Sequence, residues 1–397
     1  MTNSHLKKIT IDELAVGMFV HAIADQQGNL SVKTQGRVTK PSVIDGLRRK
    51  GVKSLVIDLS KQIEDESKAP APEPAPEEDK KTVSFEQEIG KANTLHKQGK
   101  HLQKTLLRAV QKGLPFDEQI PREFTQSMVG SIDRNPDALM CLTKIREKDE
   151  YLLEHSLNVA ILLANFGKSV GMSIQAVEEL ALAGFLHDLG KIKIPDDILH
   201  KPGRLTDEEM DVMRDHVKYG VETLEKEGID KSLIRTVSEH HERLDGKGYP
   251  AGKSGEKISQ EGRMIAIADV YDALTADRVY KAGMPSQKAL QILLKDSPHK
   301  YDHDLLQKFI KCMGIYPVGT LVKLTNERVG MVMEQNSDAP LKPIVRMFYS
   351  TRGNHYLEPK DLDLNSSTTV RIEKPVVASE YKLDTKQFFE RSVLNIV

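Results

Sequence analysis

From Phe85 to about Ile310 the apolar residues recur at helical spacing almost without a break, a pattern that a half-buried sheet does not produce. Leu152, His155, Val159, Leu162, Leu163 and Phe166, for example, fall on one face of a single long helix. The middle of the chain is therefore expected to be an all-helical domain. On both sides the period changes. From Ile9 to Leu59, short alternating runs, Met18-Phe19-Val20 and Ser54-Leu55-Val56-Ile57, surround one helical stretch, Pro41 to Lys50, which suggests a small α/β module. After Gly314, the runs Thr320 to Leu324, Gly330 to Met333 and Pro343 to Phe348 read as short strands separated by turn residues. They predict a small β-rich module, with Asn365 to Val397 as its tail.

Between the first module and the helices, Ser60 to Thr82 is built from Pro, Ala, Glu, Asp and Lys around the run Ala69 to Pro76, and cannot bury enough apolar surface to fold alone. The expected fold is thus mainly α. It has an N-terminal α/β module at 1–59, a linker at 60–84, a helical catalytic domain at 85–314 with its core at 145–300, and a β-rich module at 315–397. A hydrophobic fraction of 39% over 397 residues is ample for ordinary cores. Lys and Arg number 57 against 58 Asp and Glu, so the net charge of -1 gives no general attraction to nucleic acid polymers or anionic membranes. The most apolar stretch, Leu180 to Leu186, is far shorter than the roughly 20 residues that cross a bilayer. Met1 to Lys8 has two lysines with no apolar core behind them, unlike a secretory signal. The two cysteines, Cys141 and Cys312, are too isolated for a disulfide framework or a zinc knuckle and suit a reducing cytosol, so a cytoplasmic location is expected.

Histidine carries the chemistry. His155, His187 with Asp188, His216, His240 with His241, and Asp269 form stations about 24 to 32 residues apart, each in or beside a helical stretch. One helix and its return loop take about that many residues, so successive helices could deliver every station to one end of a bundle. Imidazole and carboxylate without thiolate suit borderline divalent ions such as iron, manganese, zinc, cobalt or nickel. Seven ligands are too many for one ion and about right for two, if a carboxylate bridges. Two ions roughly 3.5 to 4 Å apart can share a hydroxide and neutralise a phosphoryl group, which makes phosphoester hydrolysis the expected reaction class. Packing alone does not explain the pairs His187-Asp188, placed where a helix breaks at Gly190, and His240-His241. His5, His21, His96, His101, His200, His299, His303 and His355 show no such pattern.

These residues sit in motifs that closely resemble the HD-GYP family, a branch of the HD phosphohydrolase superfamily. The match runs from about Tyr151 to Lys281. It comprises E-H-S-L-N-V-A at Glu154 to Ala160, H-D-L-G-K-I at His187 to Ile192, H-H-E-R-L-D-G-K-G-Y-P at His240 to Pro250, and the run from Ile267 to Lys281. Upstream, Leu14 to Val20 looks like the opening of an uncharacterised module often found before this domain. The resemblance implies one metal on His155, His187 and Asp269, a second on His216, His240 and His241, and Asp188 bridging both. Iron or manganese is expected, and a bridging hydroxide would be the nucleophile. Some members hold a third metal through a glutamate one turn before the first histidine; here that position is Tyr151, with Glu150 and Glu154 at the wrong offsets, so a two-metal site is expected. Lys191, one turn beyond Asp188, is placed to reach a phosphate or the metal-bound water and is expected with Asp188 among the catalytic residues, and Arg278 and Lys281 look like the family's phosphate clamp. Gly248, Tyr249 and Pro250 are implicated in shaping the substrate site and, in some proteins, in contacting diguanylate cyclase domains of the GGDEF type. Asp272 is expected to orient a ligand from behind.

The function implied is a phosphodiesterase that opens a 3',5'-cyclic dinucleotide, usually cyclic di-GMP, to linear pGpG and in some cases to GMP. A cyclic GMP-AMP phosphodiesterase and a non-catalytic cyclic dinucleotide sensor stay open as alternatives. The N-terminal module is expected to regulate the enzyme or to mediate contacts, homodimer contacts included.

Overall fold

The computed structural model describes residues 6–15, 18–24, 30–31, 36–38, 41–49, 51–58, 82–144, 151–276, 283–336 and 338–394. The chain divides into two compact units, Met1–Lys80 and Lys81–Val397.

In the first unit, β1 (Leu6–Thr10), β2 (Phe19–Ala24), β3 (Leu30–Ser31), β4 (Gly36–Arg37) and β5 (Ser54–Asp58) form one antiparallel sheet, with α1 (Pro41–Arg49) between the last two strands. β5 lies between β1 and β2, and Ile9 faces Leu55 across the β1–β5 pair. The alternation of the strands places Ile9, Val20, Leu55 and Ile57 in a small core, against which Ile44 and Leu47 of α1 pack. The expected α/β character is present; the Pro-Ala tract lies outside the described residues.

The second unit opens with α2 (Phe85–Gln111), whose start is fixed by a reciprocal capping pair between Ser84 and Gln87. There follow α3 (Gln119–Arg134), α4 (Pro136–Leu142), α5 (Tyr151–Ser169), α6 (Ile174–Leu186), α7 (Asp196–Leu199), α8 (Asp207–Lys226), α9 (Lys231–Ser238), α10 (Gln260–Thr275), α11 (Ser286–Asp296) and α12 (His303–Met313). α5 and α6 are apolar almost all round and form the buried centre, with α2, α3, α9 and α10 packed about them. Because α5, α6 and α10 are locked together by this core, the polar residues they carry at one end have little freedom to separate.

The strands β6 (Leu321–Leu324), β7 (Arg328–Glu334), β8 (Ile344–Ser350), β9 (His355–Asp363) and β10 (Ile372–Pro375) make a second antiparallel sheet in the order β10-β6-β7-β8-β9. The three strands read from the sequence are there, and the tail adds β10 and α13 (Thr385–Ser392). Leu321, Met331, Phe348 and Phe389 belong to the same buried cluster as Phe85 and Leu139, so the β-rich segment shares one continuous core with the helices. Arg346 of β8 reinforces the join: it bonds Asp361 of β9 at 2.7 Å, the Ser392 carbonyl at 2.9 Å and Glu86 of α2 at 3.5 Å. Among the described residues no helix is long and apolar enough to cross a membrane.

Candidate metal centre

Each element delivers its side chain for a local reason. α5 presents His155 in its second turn. α6 ends at Leu186 with His187 as its cap, and the backbone then leaves the helix at Asp188 (φ -102, ψ 10) to make a tight 3-10 turn, Leu189–Lys193. Where the chain leaves the helix, the Asp188 carboxylate meets the same centre as its neighbour His187, with Oδ2 3.3 Å from His187 Nε2. α8 carries His216 on its buried face, the turn after α9 carries His240 and His241, and α10 carries Asp269. His155, His187, Asp188, His216, His240 and Asp269 are buried; the His241 side chain is 20% exposed.

The ring nitrogens are oriented by what stands behind them. Nδ1 of His187, His216 and His240 donates to the carbonyls of Gly184, Met213 and Val237, three residues earlier in each case, at 2.7, 2.7 and 2.6 Å. Nδ1 of His155 donates to Asp272 Oδ2 at 2.8 Å. All four rings therefore turn Nε2 inward, the arrangement that fixes a metal-binding tautomer. Asp188 stands at the middle. Its Oδ2 lies 3.3 Å from His187 Nε2 and 3.6 Å from His155 Nε2, while its Oδ1 lies 3.5 Å from His216 Nε2 and 3.9 Å from His240 Nε2. Asp269 also spans the centre, with Oδ1 at 2.9 Å from His155 Nε2 and Oδ2 at 3.5 Å from His241 Nδ1. Among the described residues, three ligand groupings have their atoms mutually within 4.8 Å: His155, His187 and Asp269; His216, His240 and His241; and His187, Asp188 and His240.

Burial and charge pull these groups apart in acidity. Burial opposes a charged His155, but its bonds to Asp269 and Asp272 prevail and raise it to about 9. Burial pushes His216 down to about 4 and His241 down to about 3, and drives His240 well below its usual range. Burial also opposes ionisation of Asp188 and Asp269, yet the surrounding His187, Lys191 and His155 hold both carboxyls well below the ordinary carboxylate range. The centre thus offers ionised carboxylates beside the neutral imidazoles of His216, His240 and His241, while His155 gives up a proton held by Asp269 and Asp272 when a cation takes its Nε2.

Two atoms test the fit to metal directly. His187 Nε2 and Asp188 Oδ1 are buried and have no hydrogen-bond partner among the described residues. Leaving such groups unsatisfied costs on the order of 1 to 3 kcal/mol each, and a divalent cation beside them would satisfy both. Imidazole and carboxylate donors without thiolate fit ions such as iron or manganese.

Lys191 lies at the edge of the centre, its ammonium 2.5 Å from Asp188 Oδ2. Tyr249 lies tilted against His241 at 36°, ring centres 4.6 Å apart, and approaches His216 edge-on at 6.3 Å; burial holds its phenol above the usual range, so it stays neutral. Gly248 and Pro250 flank it in the same loop. Arg278 and Lys281 lie outside the described residues, beyond the end of α10. Glu150 likewise lies outside them, and Glu154 is buried and paired with Lys100 at 3.2 Å. Sequence reasoning did not single out Glu239 and Glu242, the buried carboxylates on either side of the histidine pair, nor Arg214, whose guanidinium lies over the Tyr249 ring at 5.6 Å. The run Glu239-His240-His241-Glu242 was a signal for the first two.

Residues 140–305 match the family described as HD domain, residues 6–119 a domain of unknown function, and residues 321–384 a KOW domain associated with HD domain. Among characterised proteins, the chain is 34% identical over 375 residues to the cyclic di-GMP phosphodiesterase PA4108 of Pseudomonas aeruginosa, covering 90% of this chain and 89% of that protein. A cyclic di-GMP phosphodiesterase of Vibrio cholerae is 43% identical over 34% of this chain and 29% of its own length. The 3'3'-cGAMP-specific phosphodiesterase 1 of the same organism is 35% identical over 39% of this chain and 36% of its own.

Proposed function

Because this chain belongs to the HD-GYP branch of the HD phosphohydrolases and is a metal-dependent phosphodiesterase of a cyclic dinucleotide messenger, we propose that its substrate is cyclic di-GMP, opened to linear pGpG. The observation that carries the chemistry is the position of Asp188, with one carboxylate oxygen toward His155 and His187 and the other toward His216 and His240. Support for the guanine dinucleotide comes from the relative that spans nearly the whole chain.

In this reading His155, His187 and Asp269 hold one ion, His216, His240 and His241 hold the other, and Asp188 serves both. Two bound divalent ions, iron or manganese, would supply an activated water and neutralise charge on the phosphoryl group. The chain's own residues do the rest. Lys191 keeps Asp188 in place and offers a phosphate oxygen a cation. Tyr249, a neutral phenol against His241, presents a flat wall on which a nucleobase or sugar can rest, with Gly248 and Pro250 shaping its edges. Arg278 and Lys281 complete the set as a clamp on the second phosphate. GGDEF-type domains meeting the Gly248–Pro250 loop, a second copy of the chain, and a regulatory role for the N-terminal unit belong to the same proposal.

The test is an assay of purified chain, loaded with iron or manganese, against cyclic di-GMP and 3'3'-cGAMP, with products separated by chromatography. Release of pGpG from cyclic di-GMP at the higher kcat/KM is expected. Faster turnover of cGAMP would reassign the substrate, and binding of either without product would make the domain a sensor.

A further inference from the structure

The two carboxylates flanking the histidine pair are buried and fully engaged, and what they engage is the loop that approaches the metal centre. Glu242, 2% exposed, accepts the backbone N–H of Ala251 at 2.7 Å and that of Lys253 at 2.9 Å. Glu239 accepts the Lys253 ammonium at 2.7 Å, Arg235 Nε at 3.0 Å, and the backbone and side chain of Ser259. Lys253 is thus tied to both carboxylates, by its backbone to one and by its side chain to the other. At the base of the loop Asp245 bridges to Ser254, and the Gly255 N–H donates to Leu244 O at 3.1 Å.

Pinned at its base and along its returning limb, the loop folds down onto the histidine turn. The Tyr249 N–H donates to His241 O at 3.1 Å. At Gly248 a Cβ would lie 2.5 Å from Arg243 N and 2.6 Å from both Glu242 Cα and His241 O, so backbone rests on backbone with no room for a side chain. The consequence is a fixed place for the Tyr249 ring, tilted against His241 with ring centres 4.6 Å apart and with the Arg214 guanidinium 5.6 Å from its centre.

We infer that Glu242 is a positioning residue for the dinucleotide: by holding residues 251–253 it sets the height of the Gly248-Tyr249-Pro250 segment over the centre, and through it the wall on which the substrate rests. This rests on the functional reading above. The Glu242 carboxylate bonds the backbone of the loop at Ala251 and Lys253, so its loss should appear in substrate binding and not in metal loading. A small diester that reaches the centre without leaning on the loop should be affected much less than a dinucleotide.

The experiment compares the full-length wild type with Glu242→Ala, Glu242→Gln and Gly248→Ala, each loaded with manganese, on cyclic di-GMP and on bis(p-nitrophenyl) phosphate. Glu242→Ala should raise KM for the dinucleotide by about tenfold or more, lower its kcat/KM far more than that for the small diester, and keep two metals per chain. Glu242→Gln, which retains one acceptor oxygen, should recover much of the loss, and Gly248→Ala should reproduce the KM signature by lifting the same segment. Trypsin should also cut faster after Lys247 and Lys253 in Glu242→Ala than in wild type. Unchanged KM and cleavage in Glu242→Ala, or equal losses on both substrates together with metal, would overturn the inference while an active wild type left the functional reading intact. A wild type inactive on every cyclic dinucleotide would overturn that reading. Should Glu242→Ala not fold, Gly248→Ala decides the matter by the same signature, a raised KM for the dinucleotide with metal content and small-diester turnover kept, and Glu242→Gln should show a smaller loss of the same kind.

Discussion

His155 donates from Nδ1 to Asp272 Oδ2 at 2.8 Å, so the ring that faces the centre from α5 is held from behind by a carboxylate three residues beyond Asp269 on α10. Both partners are buried, and the two helices that carry them are packed together in the core. The contact couples the direction of one candidate ligand to the helix that supplies another. It also makes the imidazole more basic, and hence a better donor from Nε2, than a carbonyl would.

Asp272→Asn should therefore weaken metal binding without unfolding the domain. The expected loss is about 10- to 100-fold in affinity, as is usual when the partner behind a ligating histidine is changed. Chelator competition on manganese-loaded protein measures it directly, and wild-type affinity in the variant would remove Asp272 from the metal centre.

Asp188 should matter in a different way, because its two oxygens face two sets of imidazoles. Asp188→Ala is expected to reduce metal content from two ions per chain to at most one and to lower turnover by about a hundredfold or more, since both ions are needed to neutralise the phosphoryl group. Elemental analysis beside an activity assay reads both effects. Two ions retained at full activity would place the shared carboxylate elsewhere.

Much of this was legible because helical periodicity does not depend on tertiary context. The apolar runs of α5 and α6 identify buried helices, and the regular spacing of His155, His187, His216 and His240 follows from one helix and one return loop per station. The structure brings those residues, with Asp188, His241 and Asp269, to one place. The continuity of core between the β-rich segment and the helices was not legible, since Phe348, Phe389 and Phe85 meet only in three dimensions. Nor was the work of Glu242: its partners are backbone N–H groups of a loop, and no side-chain pattern announces which carboxylate a loop will fold around.

The metal-free centre should also give the protein a dome-shaped stability against pH. His155 is raised to about 9 when folded, so its contribution is complete below its unfolded value near 6.5 and is lost as pH climbs through about 9. His216 and His241 are depressed to about 4 and about 3, so their neutral burial favours folding above about 6.5, and that stability is lost progressively as pH falls below it. Urea midpoints of the metal-free protein should fall on both sides of a maximum near neutrality, and the alkaline arm should flatten in His155→Gln. An alkaline arm that persists unchanged in that variant would assign it to other groups.

Gly190 brings the two halves of the centre together. It follows Asp188 in the 3-10 turn, and a Cβ there would lie 1.9 Å from His216 O and 2.5 Å from Gly220 N, both backbone atoms of α8. No rotamer change can relieve such a contact; the turn or the helix must move. Because Asp188 and Lys191 sit on the turn and His216 on the helix, any movement widens the distance between Asp188 Oδ1 and His216 Nε2, now 3.5 Å. Overpacking a core typically costs about 1 to 3 kcal/mol, and backbone against backbone belongs at or above the top of that range. Gly190→Ala should therefore lower the urea midpoint clearly and, in the fraction that folds, weaken the ion proposed at His216, His240 and His241 more than the one proposed at His155, His187 and Asp269. Two equally tight ions in a variant of wild-type stability would show that the turn can yield without disturbing the centre.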